Sequence, residues 1–244
     1  MNNSVNEHTS RREIIAAGGL LAAVWALAGC QSGGAPVSRL PGPLWPDQEP
    51  GDPAKSITSP VATKPTSPVA SGPVPGVIPK STWTSVRPIV SRAQPMNGIG
   101  RITVHHSAIP SAGLTERIAI VRQLQGIQRE HMNRRGEPFA DIGYHYIIDP
   151  TGQVWEGRPL SLQGAHVAAQ NEHNLGIMCM GNFDRQSPTQ AQLATLQRFV
   201  AGQMRRYGVS VGRVYTHREL GKSSCPGDHL QRFMVSARSN GLLA

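Results

Sequence analysis

Two stretches of the chain repeat apolar residues at spacings of three and four, which is typical of helices with one buried face. The first stripe consists of Ile118, Val121, Leu124, Ile127 and His131. The second consists of Leu193, Leu196, Val200, Met204 and Tyr207. Ser187 as N-cap, with Gln190 three residues later, predicts a capping box at the start of the second helix, and Gly208 predicts its end.

Short runs of β-branched and aromatic residues predict strands around these helices. The runs cover residues 101–105, 144–148, 153–156, 175–180 and 213–217. The turn at 149–152 contains proline and glycine, so its flanking runs are expected to form a hairpin. A closing helix is expected after Pro226. Because strands alternate with helices, the pattern predicts an α/β fold with a central mixed β-sheet flanked by helices.

Residues 81–244 contain ten of the twelve aromatic residues and eight of the nine histidines. They are enough to bury a core, and we expect one domain that is a monomer. Residues 30–80 differ sharply, because 12 of the 20 prolines lie between positions 36 and 79. Such a composition cannot bury enough apolar surface to offset the entropy lost on ordering, so these residues are expected to form an extended linker.

Residues 1–29 have the organisation of an export signal. Arg11 and Arg12 precede a fifteen-residue run of apolar residues and glycine, which is short for a bilayer span of about 20 residues. The arginine pair resembles a twin-arginine signal, and Leu-Ala-Gly-Cys, ending at Cys30, resembles a bacterial lipobox. We therefore expect lipidation at Cys30, a membrane anchor there, and a place in the cell envelope, on the periplasmic or outer-membrane face of a Gram-negative cell. A single-pass anchor or a buried helix is the alternative.

The formal net charge of +9 indicates an anionic partner. Residues 81–244 hold 18 basic and ten acidic side chains, a difference of +8, so the excess lies on the folded domain. This part of the chain has no nucleic-acid-binding motif and little clustering of aromatic residues, so no nucleic-acid partner is expected. Three cysteines allow at most one disulfide, which excludes a disulfide-based scaffold.

The candidate chemistry lies with His105, His106, His217 and Cys225. Histidine and cysteine are favoured zinc ligands, and two of these residues end predicted strands. The separation of His217 and Cys225 does not fit a zinc finger, so a metal site must combine distant segments. Three ligands with one open position would make it catalytic. The alternative is that these histidines bond to backbone carbonyls and that Cys225 is a small buried apolar residue.

The pleat of a strand distinguishes the two adjacent histidines, because neighbouring side chains point to opposite faces. His106 shares a face with Ile102 and Val104. If those two residues face the core, His105 faces a cleft. The alternation therefore favours His105 as the ligand.

Five groups of residues occur in an order that resembles the zinc-dependent N-acetylmuramoyl-L-alanine amidases, which include phage amidase-type lysozymes and animal peptidoglycan recognition proteins. They are ITVHHSA (102–108), DIGYHY (141–146), GAH (164–166) with Asn171, LGI (175–177) with GNF (181–183), and THRE (216–219) with CPGD (225–228). The resemblance covers about residues 83–233, nearly the whole domain.

The resemblance implies an α/β domain with one Zn²⁺ held by His105, His217 and Cys225. It implies hydrolysis of the amide between N-acetylmuramic acid and L-alanine, with peptidoglycan or muropeptides as partner. Tyr144 matches the catalytic tyrosine of the family. The alternative interpretation is that Tyr144 is an aromatic residue packed in the core.

One position departs from the family pattern. Two residues before the cysteine ligand, phage enzymes have lysine and catalytic recognition proteins have threonine, whereas this chain has Ser223. A serine hydroxyl can donate one hydrogen bond to an oxyanion, so Ser223 is the expected second catalytic residue. Lys222 is the alternative.

The resemblance also implies substrate contacts. The implied groove residues are Ser107, His131, Arg135, His166 and Asn171. Two extra residues after His131 make Arg134 an alternative to Arg135. His131 also completes an apolar helix stripe, so a core position is the competing interpretation.

Two other functions compete with an amidase. Some recognition proteins bind cell-wall fragments without cleaving them, and these typically replace the cysteine ligand, which this chain keeps as Cys225. Alternatively, Cys225 is a nucleophile with a histidine base, as in cysteine-dependent wall peptidases. That hypothesis accounts for neither His105 nor the order of the motifs.

Overall fold

The computed structural model describes residues 72–243. The expected export signal, the lipidated Cys30 and the linker up to residue 71 lie outside the described residues.

Within residues 72–243, six strands form one mixed sheet. They are β1 (Val77–Ile78), β2 (Arg101–His106), β3 (Tyr146–Ile148), β4 (Val154–Glu156), β5 (Asn174–Cys179) and β6 (Val214–Thr216). Their order across the sheet is β1-β4-β3-β5-β2-β6. Only β3 and β4 pair antiparallel, as the predicted hairpin requires, and the other neighbours are parallel. The predicted α/β fold with a central mixed sheet is confirmed.

In the described part of the chain, four α-helices accompany the sheet. They are α1 (Arg117–Met132), α2 (Gln190–Tyr207), α3 (His217–Leu220) and α4 (Asp228–Ser239). Short 3₁₀ turns occur at Lys80–Thr82, Val90–Arg92 and Val211–Arg213. Across residues 72–243, no helix has both the length and the apolar character that a membrane span requires.

The alternation of side chains along the strands separates the core into two layers. Ile102 and Val104 of β2 pack in one cluster with residues of α2 and α4. Ile147 of β3 and Trp155 of β4 pack in the other cluster with residues of α1. The helices thus cover both faces of the sheet, which buries all six residues of β2 and of β5.

The start of α2 differs from the expectation. Thr189 is the N-cap, not Ser187, and its side chain accepts a hydrogen bond from Gln192 N at 3.0 Å. The segment contains two overlapping capping patterns, two residues apart. The buried Gln192 amide decides between them, because it donates to the carbonyls of Ile148 and Met180. The predicted end at Gly208 is observed, with that residue in the left-handed region at φ 65°.

Several strand boundaries also differ from the expectation. β3 begins at Tyr146, so Tyr144 precedes the strand on which it was expected. Val77–Ile78, within the segment assigned to the linker, pairs with β4 as an edge strand, so the sheet begins before residue 81. The last strand ends at Thr216, and His217 opens α3. His217 therefore leaves the sheet on a helix rather than at the end of a strand.

Candidate metal centre

His105 meets His217 and Cys225 in space although it lies 112 and 120 residues before them in the sequence. His105 is the fifth residue of β2, and His217 directly follows β6, the parallel neighbour of β2. Cys225 lies in the loop between α3 and α4. One ligand atom from each side chain lies within 4.8 Å of the others, and all three residues are buried. We call these residues the ligand trio.

The spacing of the ligand trio fits a zinc ion. Nδ1 of His105 lies 3.6 Å from Sγ of Cys225. In a tetrahedral site, zinc bond lengths of 2.0–2.1 Å to nitrogen and about 2.3 Å to sulfur place these two atoms about 3.6 Å apart. The imidazole rings of His105 and His217 have centroids 4.9 Å apart. Two imidazoles and a thiolate form a donor set that suits zinc.

The short helix α3 fixes the position of His217. Thr216 is its N-cap, and Glu219 Oε2 accepts a hydrogen bond from Thr216 N at 2.8 Å. Arg238 of α4 donates to the same carboxylate and also to the carbonyl of Val214 at 2.8 Å. These bonds tie the end of β6 to α4. The backbone on either side of His217 is therefore fixed by hydrogen bonds, at Thr216 before it and through Glu219 after it.

Backbone contacts also fix Cys225. Its amide donates to Ser223 Oγ at 3.1 Å, and its carbonyl accepts from Arg218 N at 2.8 Å. Its sulfur accepts from the amide of His106 at 3.4 Å. An N–H donor to sulfur stabilises the thiolate form that a metal requires. This role of the His106 amide was not predicted, because a backbone donor leaves no signal in the side-chain pattern.

His106 itself points away from the ligand trio. Its Nδ1 accepts a hydrogen bond from Phe183 N at 3.3 Å on the opposite side of β2. Tyr144, which contacts His105, belongs to the core layer on the other side. The two adjacent histidines therefore face opposite sides of the sheet, as the pleat argument expects.

Burial controls the protonation of the ligand trio. Loss of solvation lowers the pKa of His217 to about 4, and together with the neighbouring histidines it holds the pKa of His105 well below its ordinary value. Burial raises the pKa of Cys225 to about 12. At neutral pH the protein alone thus presents two neutral imidazoles and a thiol. A bound cation would displace the thiol proton.

Tyr144 lies beside the ligand trio. Its ring centroid is 5.2 Å from that of His105, and the residue is 1% exposed. Within residues 72–243, its hydroxyl has no hydrogen-bond partner. Burial raises the pKa of Tyr144 well above the ordinary value, so the hydroxyl keeps its proton at neutral pH. Tyr144 therefore offers a hydrogen-bond donor beside the metal ligands.

His166 and Asn171 occupy one loop next to the ligand trio. The imidazole of His166 is fully buried and contacts His105 at 3.1 Å through Nδ1. Asn171 Oδ1 accepts hydrogen bonds from the amides of His166 and Val167 at 2.9 and 3.0 Å. Asn171 thus organises the loop that carries His166.

The remaining residues of the expected groove lie in contrasting environments. Ser107 is buried, and its hydroxyl bonds both to the amide and to the carbonyl of Gly181. His131 is 5% exposed, and its Nδ1 accepts from Gly143 N at 3.0 Å, which agrees with its place in the apolar stripe of α1. Arg135 is exposed, whereas the guanidinium of Arg134 stacks over Phe139 at 4.6 Å.

A second buried polar cluster supports the loop that leads to Tyr144. The Asp141 cluster consists of Lys80, Gln128, Asp141 and Arg158. Lys80 pairs with the Asp141 carboxylate, and Gln128 donates to it at 2.8 Å. Arg158 donates to the carbonyls of Asp141 and Ile142 at 3.1 and 2.9 Å. The sequence analysis missed this cluster because its members are far apart in the chain and match no spacing motif.

Comparison with known proteins places this arrangement in a family. The family model described as N-acetylmuramoyl-L-alanine amidase (Amidase_2) matches residues 95–228, more than half of the chain. The peptidoglycan-recognition protein SC2 of Drosophila melanogaster is 32% identical over 155 residues, which cover 63% of this chain and 82% of that protein. The human N-acetylmuramoyl-L-alanine amidase is 29% identical over 163 residues, which cover 64% of this chain and 27% of that protein.

Solved structures with a similar fold include peptidoglycan recognition proteins. A solved structure of peptidoglycan recognition protein-LE in complex with tracheal cytotoxin, a monomeric diaminopimelic acid-type peptidoglycan, superposes with a TM-score of 0.60. The two chains are 26% identical, and the match covers 67% of this chain and 94% of the other. The matched region contains the whole ligand trio and Tyr144. The chain belongs to the N-acetylmuramoyl-L-alanine amidase (Amidase_2) family.

Proposed function

We propose that this protein is a zinc-dependent N-acetylmuramoyl-L-alanine amidase that hydrolyses the amide between N-acetylmuramic acid and L-alanine in peptidoglycan. The observation that carries the proposal is the convergence of His105, His217 and Cys225, whose ligand atoms lie within 4.8 Å of one another. Three protein ligands leave a fourth tetrahedral position for water or substrate, as in catalytic zinc sites.

The ligand trio would hold one Zn²⁺ through two imidazole nitrogens and one thiolate sulfur. When bound in such a site, zinc activates water at neutral pH and polarises a carbonyl oxygen. The protein supplies the orientation through bonds between elements. Arg238 of α4 donates to Glu219 of α3, and the backbone amide of Arg218 in α3 donates to the carbonyl of Cys225. It also supplies a buried setting, in which electrostatic interactions are stronger than in water.

Tyr144 is proposed to stabilise the oxyanion that forms when the scissile carbonyl is attacked. Its hydroxyl is protonated at neutral pH because burial raises its pKa, and within residues 72–243 no other group accepts its proton. A donor already directed at the reacting carbonyl needs no reorganisation during the reaction.

Ser223 is the proposed second donor. Its Oγ accepts a hydrogen bond from Cys225 N at 3.1 Å, so the hydroxyl is held next to a metal ligand while its own proton stays available. Lys222, one residue earlier, has an exposed side chain. Proximity to Cys225 favours the serine.

Two observations support the amidase over its competitors. The ligand trio retains Cys225, whereas the non-catalytic alternative is typified by loss of this ligand. A cysteine nucleophile would need a stabilised thiolate. Burial instead raises the pKa of Cys225 to about 12 and lowers that of His105, so this pair favours the neutral thiol and imidazole.

Peptidoglycan as the substrate is supported by the relatives and by charge. One relative carries the name of a peptidoglycan-recognition protein, and a structural neighbour is described in complex with a peptidoglycan fragment. The +8 charge of residues 81–244 favours a polymer with peptide carboxylates. The exposed Arg135 is the proposed groove residue that is best placed to reach such a carboxylate.

A place in the cell envelope, with a lipid anchor at Cys30, remains part of the proposal. It is supported by the arginine pair, the apolar run and the lipobox-like sequence before Cys30. Mass spectrometry of the mature protein is expected to find a lipidated Cys30 as its first residue. An intact Met1 would refute the anchor without affecting the enzymatic proposal.

The decisive experiment is product analysis after digestion of purified peptidoglycan with the full-length protein. We expect release of stem peptides with a free L-alanine amino group, loss of this release on zinc chelation, and its return on adding zinc. Binding to peptidoglycan without release of peptide would show the non-catalytic function instead. Undiminished activity of zinc-free protein would refute the metal mechanism.

A further inference from the structure

We propose that His166 is a positioning residue that fixes the tautomer and the ring orientation of His105, and thereby sets how tightly the ligand trio holds its metal. The metal is zinc if the proposed function is correct. This role differs from the substrate contact that the family resemblance implies for His166.

Three buried groups form a continuous chain of hydrogen bonds. Nε2 of His166 lies 3.1 Å from the backbone carbonyl oxygen of Asn174 in β5. Nδ1 of His166 lies 3.1 Å from Nε2 of His105. His105, His166 and Asn174 are all 0% exposed, so water does not compete for these contacts.

The chain of bonds has one consistent direction. A carbonyl oxygen only accepts, so Nε2 of His166 carries the proton and donates to Asn174. In a neutral imidazole the other nitrogen then holds a lone pair, so Nδ1 of His166 accepts from Nε2 of His105. His105 therefore keeps its lone pair on Nδ1, the atom that lies 3.6 Å from Sγ of Cys225. The correct nitrogen thus faces the metal position before any metal binds.

The packing around His166 makes this orientation rigid. A Cβ atom at Gly164 or Gly176 would lie only 2.2 or 2.5 Å from Cδ2 of the imidazole. Two glycines, one in the loop and one in β5, therefore leave room for the ring, and their backbones lie in close contact with its Cδ2–Nε2 edge. A confined ring with both nitrogens bonded inside the protein has no polar atom left for a substrate.

His145 provides a matched control. It is also 0% exposed, its Nε2 bonds to the carbonyl of Leu162 at 3.1 Å, and its Nδ1 accepts from Gly176 N at 3.0 Å. It thus matches His166 in burial, with one bond to a backbone carbonyl and one at the other nitrogen, but both of its partners are backbone atoms and neither belongs to a candidate metal ligand. The two rings pack edge to face with centroids 5.8 Å apart, so His145→Leu also controls for altered packing around His166. Replacing either histidine by leucine removes two buried hydrogen bonds, whereas only His166→Leu removes the acceptor for His105.

The first test measures zinc affinity of the full-length protein by competition with a chromophoric chelator. We expect His166→Leu to weaken zinc binding by roughly 10- to 100-fold, the range typical for partners that orient a ligating histidine. His166→Gln restores an acceptor oxygen and is expected to recover part of the loss. His145→Leu is expected to retain the wild-type affinity. A folded His166→Leu protein with wild-type affinity, or an equal loss in His145→Leu, would overturn the proposal.

The second test needs no metal and no substitution. Nitrogen-15 chemical shifts of the metal-free wild-type protein are expected to show His105 protonated on Nε2 and His166 protonated on Nε2. Protonation of His105 on Nδ1 would overturn the proposal. If the wild-type protein fails to bind zinc, the proposed function is refuted, whereas this measurement still decides the role of His166.

Discussion

The ligand trio and the Asp141 cluster are both buried and polar, but their side chains are organised in opposite ways. In the Asp141 cluster, a carboxylate meets a lysine, an amide donor and the backbone amide of Ile142. Arg158 donates hydrogen bonds to the backbone carbonyls of Asp141 and Ile142. Negative and positive groups therefore complement one another within the protein, which is what buried charges require.

In the ligand trio, three electron-pair donors face one another instead. His105, His217 and Cys225 contribute two imidazoles and a sulfur, and the trio includes no cationic side chain. A structural cluster and a candidate metal site thus differ in the charges that they combine. In the Asp141 cluster opposite charges pair with each other, whereas in the ligand trio three groups that can each donate an electron pair to a cation lie within 4.8 Å of one another.

Loss of one member of the ligand trio is expected to have the largest effect. Cys225→Ser replaces a soft thiolate by a hydroxyl, and zinc binding and amidase activity should fall by about 10³-fold or more, on the order of 4 kcal/mol. Metal analysis and peptide release measure the two effects. Cys179→Ala is the control, because Cys179 is buried in β5 outside the trio. This variant should retain both zinc binding and amidase activity. Wild-type zinc content in Cys225→Ser would contradict the assignment.

Removing the hydroxyl beside the trio should impair catalysis without releasing the metal. Tyr144→Phe is expected to lower kcat by about 10²-fold, the scale of one lost oxyanion donor. Zinc affinity should not change, since Tyr144 contacts His105 only through its ring. Kinetics with a soluble muropeptide, alongside metal analysis, separate these effects. An unchanged kcat would show that Tyr144 is only a packed core residue.

Disrupting the Asp141 cluster should affect stability rather than chemistry. Asp141→Asn leaves Lys80 without its buried counter-charge, and we expect the free energy of unfolding to fall by about 2–3 kcal/mol. Urea denaturation measures this loss. Lys80→Met and the double variant complete a cycle that isolates the coupling between the two residues. A large loss of zinc affinity in folded Asp141→Asn would show that the two clusters are not independent.

The smallest effect expected of a single residue, taken per pH unit, is a pH dependence that comes from buried histidines. Burial lowers the pKa of His131 to about 3 and that of His145 to about 4. Below about pH 6.5 the unfolded chain binds protons that the folded protein does not, so stability falls as the pH decreases towards 4. Each such histidine contributes about 1.4 kcal/mol per pH unit. Urea denaturation between pH 7 and 5 should show this slope, and His145→Leu should reduce it. A free energy of unfolding that does not change between pH 7 and 5 would contradict the burial of these histidines in their neutral form.

Much of the fold follows from local patterns. The helices α1 and α2, the hairpin turn and the helix end at Gly208 agree with the structure. In the first stripe Ile118 is exposed, and Ile120 is buried in its place. These features depend on residues close in sequence, for which periodicity and turn chemistry are sufficient. The pleat of β2 likewise separated His105 from His106 without knowledge of the partners.

Features that depend on distant partners were misjudged or missed. Two capping patterns overlap at the start of α2, and only the bonds of Gln192 to two strand carbonyls select Thr189. Val77–Ile78 forms a strand because β4 offers an edge, although its own sequence resembles the linker. Local composition cannot report such contacts.

The sequence by itself determined the order of most helices and strands, the types of the candidate ligands and the family motifs that contain them. Only the tertiary structure decided what each buried polar side chain bonds to. It placed His166 behind His105, paired Lys80 with Asp141 and brought the ligand trio within 4.8 Å. The physical reason is that a buried polar group is defined by its partner. The partners of His105 and of Lys80 lie 61 or more residues away in the chain, and only the folded sheet brings them together.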